Sequence, residues 1–206
     1  MLPHQEVFVT LSDGLTLIAR SLGSVSPLEG GAALLGLVYV LLAVRESRWC
    51  WTFAFASTAL YLVVFWQTRL FMQAALQGYF LAAAIYGWFA WTRSAAERPV
   101  TTGSIASSLQ ALVAVILLAF VTGRILAVET HSSDPLLDAF TTWGSCYATW
   151  LQARKRRENW LWWVAVDLVI MWLCLRQGLT LTATLYGLFV GLAVLGWRAW
   201  RPKPSE

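Results

Sequence analysis

Charge is scarce in this chain, and lysine most of all. Only 13% of its 206 residues are charged, against about 25% in a soluble domain, and the only lysines are Lys155 and Lys203. Both lie outside the apolar runs, so no retinal Schiff base can form within a span and a seven-span photoreceptor is excluded. His4 and His131 are isolated. Cys50, Cys146 and Cys174 have neither metal-ligand spacing nor the pattern of a disulfide frame. No Gly-x-x-x-x-Gly-Lys stretch offers an ATP site, and no His-Glu-x-x-His pair offers a metal-activated water. An enzyme is not expected, nor is a cofactor or a metal. Met1 to Asp13 lack a basic segment leading into an apolar core, so no cleaved signal peptide is expected. The net charge of +4 sits in short loops and forms no groove, which argues against nucleic acid as a partner.

What the chain has is apolar length. It is 58% hydrophobic with thirteen Trp, a residue that favours membrane–water interfaces, and its mean hydropathy is +0.61. A membrane span needs about 20 mostly apolar residues. Seven such stretches are legible, at 27–44, 49–67, 70–92, 104–127, 135–153, 158–176 and 179–200. The expected class is an all-α polytopic membrane protein, a single domain over 1–206 in contact with the lipid bilayer. Residues 5–20 read as a short amphipathic segment on the membrane surface.

The second half repeats the first at an offset of 109 residues without a gap. Glu29 matches Asp138, Arg45 matches Arg154, Trp51 matches Trp160, and Gly87-Trp88-Phe89-Ala90-Trp91 matches Gly196-Trp197-Arg198-Ala199-Trp200. The expected units are a three-helix repeat at 27–92, a linker helix at 104–127 and a second three-helix repeat at 135–200. Three spans reverse the side of the membrane and the linker span restores it, so the plan is a parallel 3+1+3 repeat. Duplicated membrane units commonly hold a transported substrate between them.

Basic residues set the orientation. Eleven fall on one side: Arg45, Arg48, Arg93, Arg98, Arg154, Lys155, Arg156, Arg157, Arg198, Arg201 and Lys203. Four fall on the other: Arg20, Arg69, Arg124 and Arg176. The C-terminus is expected in the cytoplasm and the N-terminus outside. The run Arg154 to Arg157 is expected to act through this bias alone.

Polar residues inside spans are the candidates for a site, because facing lipid is costly for them. Asp138, Thr142, Ser145, Thr149 and Gln152 share one helical face, suited either to a water-filled path or to hydrogen bonds between helices. Trp160, Trp163 and Asp167 share a face of the sixth span. Two aromatic rings beside a carboxylate suit a flat cationic ring. Gln73, Gln77, Phe80 and Ala84 share a face of the third span. Glu29 and Asp138, at matching helix starts, fit a scaffold role where the helix dipole favours a carboxylate.

Gln77-Gly78-Tyr79-Phe80 followed by Ile85-Tyr86-Gly87-Trp88-Phe89-Ala90-Trp91 resembles the third-span signature of the PnuC family of vitamin transporters. Glu158-Asn159-Trp160-Leu161-Trp162-Trp163 resembles its second signature, and Asp138, Ser145 and the basic run Arg154-Lys155-Arg156 are similar to its fifth span. The resemblance covers about residues 27–200. It implies a bacterial inner-membrane uniporter for nicotinamide riboside with a SWEET-like architecture of different connectivity, working as a homotrimer. A cytoplasmic kinase would trap the imported vitamin and feed NAD biosynthesis. Carried over by the resemblance, Trp160, Trp163 and Gln77 line the substrate site; with Asp167, Gln73, Ser145 and Thr142 from the polar faces they make the expected substrate-binding set. Asp167 and Ala84 stand where the family pattern has Asn. The alternative is a carrier of thiamine or another nucleoside-like vitamin, with proton coupling through Asp167 as a further alternative.

Overall fold

The computed structural model describes residues 26–69, 71–92, 99–129 and 134–201. They form seven helices: α1 Pro27–Val44, α2 Cys50–Gln67, α3 Phe71–Thr92, α4 Ile105–Glu129, α5 Pro135–Ala153, α6 Asn159–Arg176 and α7 Thr180–Ala199. Each coincides with one apolar stretch, and no end shifts by more than two residues. The surface segment expected at 5–20 lies outside the described residues, as do Arg93, Arg98 and Lys203.

Helix ends follow local chemistry. Ser26 caps α1, Pro27 occupies its first turn, and Glu29 completes a capping box: the Glu29 amide donates to Ser26 Oγ and the Ser26 amide donates to the Glu29 carboxylate. Glu29 therefore has the scaffold role its position suggested. α1 and α5 each stop just before a left-handed residue, Glu46 at φ 54° and Lys155 at φ 53°. α2 and α6 stop before Arg69 at φ 59° and Gly178 at φ 73°. This conformation closes a helix C-terminus, and in each pair the residues stand 109 apart.

Five helices (α1, α2, α4, α6 and α7) are long and apolar enough to cross a membrane by composition alone. α3 and α5 fall short because they carry the amides and hydroxyls of the protein's interior. The order of packing explains how that is tolerated. α1 packs on α2 and α7, α2 on α3, α3 on α5, α5 on α6, and α6 on α7. Six helices thus close a ring, and polar side chains turned inward escape lipid. α4 packs on α5 from outside, where the Trp143 indole donates to Thr122 Oγ1 at 3.1 Å.

The ring is tied at the end where the α1–α2 and α5–α6 loops meet. Trp51 lies on Gly87 and meets Trp91 edge-on, with centroids 5.5 Å apart at 90°. Trp160 lies on Gly196 and meets Trp200 edge-on, 5.4 Å apart at 87°. Trp91 and Trp200 join the two pairs at 5.9 Å. Each also crosses to the other half: the Trp91 indole donates to the Ala153 carbonyl at 3.1 Å, and the Trp200 indole donates to the Ala43 carbonyl at 3.0 Å.

The basic run, expected to act through charge bias alone, also makes specific contacts. Lys155 pairs with Glu46 at 3.3 Å and stands 5.0 Å over the Trp91 ring. Arg157 donates to the Trp197 carbonyl and stacks on its ring at 3.8 Å. The Thr101 backbone bonds to Lys155 and Arg157, strapping the α3–α4 connection onto the same loop. The run is a clasp that holds three connections together.

A Cβ added at Gly87 would stand inside the Trp51 indole, whereas one at Gly78 meets nothing within 4 Å. Gly87→Ala should lower stability by about 1–3 kcal/mol through overpacking. Gly78→Ala should be neutral or raise it by up to about 1 kcal/mol through helix propensity. Thermal unfolding of both variants in detergent, followed by Trp fluorescence, checks the contrast.

Candidate functional site

The ring encloses a cavity of about 1250 Å³. At one end its wall includes Glu29, Asp138 and Gln177, with Asp138 and Gln177 exposed. At the other it reaches Ala43, Gln152 and Trp160, which are buried, and the tryptophan cluster stops it there. All seven residues singled out as a set line it: Gln73 and Gln77 from α3, Thr142 and Ser145 from α5, and Trp160, Trp163 and Asp167 from α6. Helical spacing brings each group to one face, and the ring turns those faces on a common space.

Other candidates are placed differently. Ala84 is 2% exposed and belongs to the tryptophan core, so its departure from the family pattern falls outside the wall. Thr149 is buried, and its hydroxyl donates to the Ser145 carbonyl at 2.8 Å. Trp160 belongs mostly to the core, 2% exposed and held by Gly196 and Trp200. Trp163, half-buried, is the more available ring. Trp162 packs edge-on against Tyr147 at 5.0 Å.

Beyond the expected substrate-binding set, the wall also includes Gln152, Tyr39 and Tyr186. Gln152 belongs to the polar face of α5, and Tyr186 is the repeat partner of Gln77. Tyr39 carries no sequence signal, being one aromatic in an apolar helix. Its hydroxyl donates to Gln152 Oε1 at 2.8 Å, and the Trp163 indole donates to the same oxygen at 3.4 Å. One amide thus ties α1, α5 and α6 together across the cavity.

The wall is acidic. Glu29, Asp138 and Asp167 line it, and no Lys or Arg does among the described residues. Asp167 is 5% exposed, and no hydrogen-bond or ion-pair partner for its carboxylate lies among the described residues. A carboxylate at membrane depth with no counter-charge favours a cation in the space it faces. The aromatic surfaces of Trp163 and Phe80 suit a flat ring. Among the described residues no three His, Cys, Asp or Glu side chains come together as metal ligands do.

Comparison with known proteins gives a consistent set. Residues 26–202 match the family model described as nicotinamide mononucleotide transporter. The riboflavin/roseoflavin transporter RibM of Streptomyces davaonensis is 31% identical over 179 residues, covering 81% of each chain. The nicotinamide riboside transporter PnuC of Escherichia coli is 27% identical over 207 residues, covering 87% of each. The crystal structure of the vitamin B3 transporter PnuC has the same fold, with a TM-score of 0.69 over 91% of this chain and 86% of that one, at 20% identity.

If Gln152 joins the helices as its geometry indicates, Gln152→Leu should destabilise the protein by about 1–3 kcal/mol, because the Tyr39 and Trp163 donors lose their acceptor. Tyr39→Phe should recover part of that loss in the double variant, with a coupling of at least about 0.5 kcal/mol. Unfolding midpoints of the two single variants and the double variant measure it.

Proposed function

The chain belongs to the nicotinamide mononucleotide transporter family, and from that premise we propose that it carries nicotinamide riboside across the bacterial inner membrane by facilitated diffusion. Vitamin transport by a multi-pass membrane protein follows from the family and from the named relatives, which are transporters and not enzymes. The choice of vitamin rests on one observation: a cavity wall with aromatic rings, three carboxylates and no basic side chain among the described residues. Nicotinamide riboside carries a fixed positive charge on an aromatic ring. A mononucleotide adds a phosphate, which such a wall repels.

In this reading Trp163 stacks on the pyridinium ring, Asp167 balances its charge, and Gln77, Gln73, Ser145 and Thr142 bond to ribose hydroxyls. Trp160 presents its edge from the core. The N-terminus is outside and the C-terminus cytoplasmic, so the tryptophan cluster closes the cytoplasmic end. The helices 27–92 and 135–200 act as two parallel repeats in a SWEET-like architecture, rocking about the site while 104–127 links them. The recurrence of backbone and tryptophan geometry at the 109-residue spacing supports this. A cytoplasmic kinase traps the product for NAD biosynthesis, and the working unit is a homotrimer.

A second reading, a flavin carrier, is favoured by the 31% identity to RibM. Thiamine, whose thiazolium ring is also cationic, is a third candidate. Proteoliposomes offered nicotinamide riboside, thiamine and riboflavin in parallel separate them. The proposal expects saturable uptake of nicotinamide riboside; uptake of riboflavin or thiamine alone would replace it. Trp163→Ala should reduce uptake by about tenfold or more. Asp167→Asn should weaken uptake of a cation by a similar factor.

A further inference from the structure

The closed end of the cavity holds donors without acceptors. Gln152 is 1% exposed, and its Nε2 has no hydrogen-bond partner among the described residues. The orientation of this amide is fixed by chemistry: an indole N–H can only donate, so the atom facing Trp163 Nε1 must be the oxygen. Tyr39 donates to that same oxygen. The amide NH2 is therefore left with two N–H donors and no acceptor among the described residues. Trp160, 2% exposed, has an unpartnered Nε1 as well, and both residues line the cavity.

A buried polar group without a partner calls for an explanation. Trp51 shows that packing alone can leave an indole unpartnered, since its Nε1 also lacks an acceptor away from the cavity wall. The weight therefore falls on Gln152, whose amide is oriented by two donors and which lines the cavity.

We propose that Gln152, with Trp160 beside it, forms a donor-lined subsite at the closed end of the cavity that receives a neutral hydrogen-bond acceptor, such as a carboxamide carbonyl, on the substrate's aromatic ring. This rests on the proposed function and deepens it by assigning an orientation. The carbonyl points to the tryptophan-closed end, and the ring charge lies toward Asp167. Gln152 is thereby a specificity-determining residue, separating carbonyl-bearing rings from rings of similar shape that lack an acceptor. A site built to donate a hydrogen bond discriminates against a ligand that cannot receive it, because its donors then stay unpaired.

The test is calorimetric titration of the purified protein with three pyridinium ribosides bearing, at the same ring position, a carboxamide, an acetyl or a methyl group. The carboxamide and acetyl ligands should bind alike, and the methyl ligand about tenfold or more weaker. Gln152→Glu keeps oxygen acceptors for Tyr39 and Trp163 but removes the NH2, and the gap between acetyl and methyl ligands should shrink severalfold. Trp160→Phe removes only the indole donor and provides a second variant should the first not fold. Equal binding of acetyl and methyl ligands to the unmodified protein overturns the subsite alone and is what an ordinary buried water on Gln152 predicts. A gap left unchanged in both variants also overturns it. Failure of all three ligands to bind overturns the proposed substrate together with the subsite.

Discussion

A polar group that faces hydrocarbon has no water to bond, and at membrane depth a carboxylate costs about 2.5–3.5 kcal/mol on insertion scales. The amides of α3, the hydroxyls of α5 and the carboxylate of α6 make sense only under that constraint. Each must turn away from lipid, and closure of six helices into a ring gives them a common interior. The cavity is thus the consequence of polar faces on three helices that the apolar helices surround.

The tryptophan cluster determines where that space ends. Trp51 and Trp160 need a glycine beneath them, because any Cβ at Gly87 or Gly196 would collide with the indole. Close helix approach lets Trp91 and Trp200 cross to carbonyls of the opposite half. The Glu46–Lys155 pair and the basic loop lie over this cluster. Rigid packing at one end and exposed polar residues at the other give the cavity a direction, which a carrier needs.

Much of this was legible in the sequence. Span boundaries follow from hydropathy because lipid tolerates little else, and α3 and α5 remained visible through the length of their mostly apolar stretches even where polar residues lowered their hydropathy. The polar wall was legible because helical spacing reveals a shared face, as with Trp160, Trp163 and Asp167. The role of Tyr39 was not, since its partner Gln152 lies 113 positions away and one tyrosine in an apolar helix gives no sign of its direction. The double nature of Trp160 was half legible. Its match to Trp51 and the match of Gly87 to Gly196 carried the packing information, but only the geometry shows the indole lying on glycine. The clasp formed by Lys155 and Arg157 was hidden because composition reports the sign of a charge and not its partner.

The cavity inside the six-helix ring is proposed as the binding site of a cationic aromatic nucleoside. A structure of the protein in lipid nanodiscs at saturating nicotinamide riboside tests it most directly. The account predicts a flat ring against Trp163, with its charged nitrogen near the Asp167 carboxylate. Ligand bound elsewhere, or an empty cavity at saturation, would contradict it.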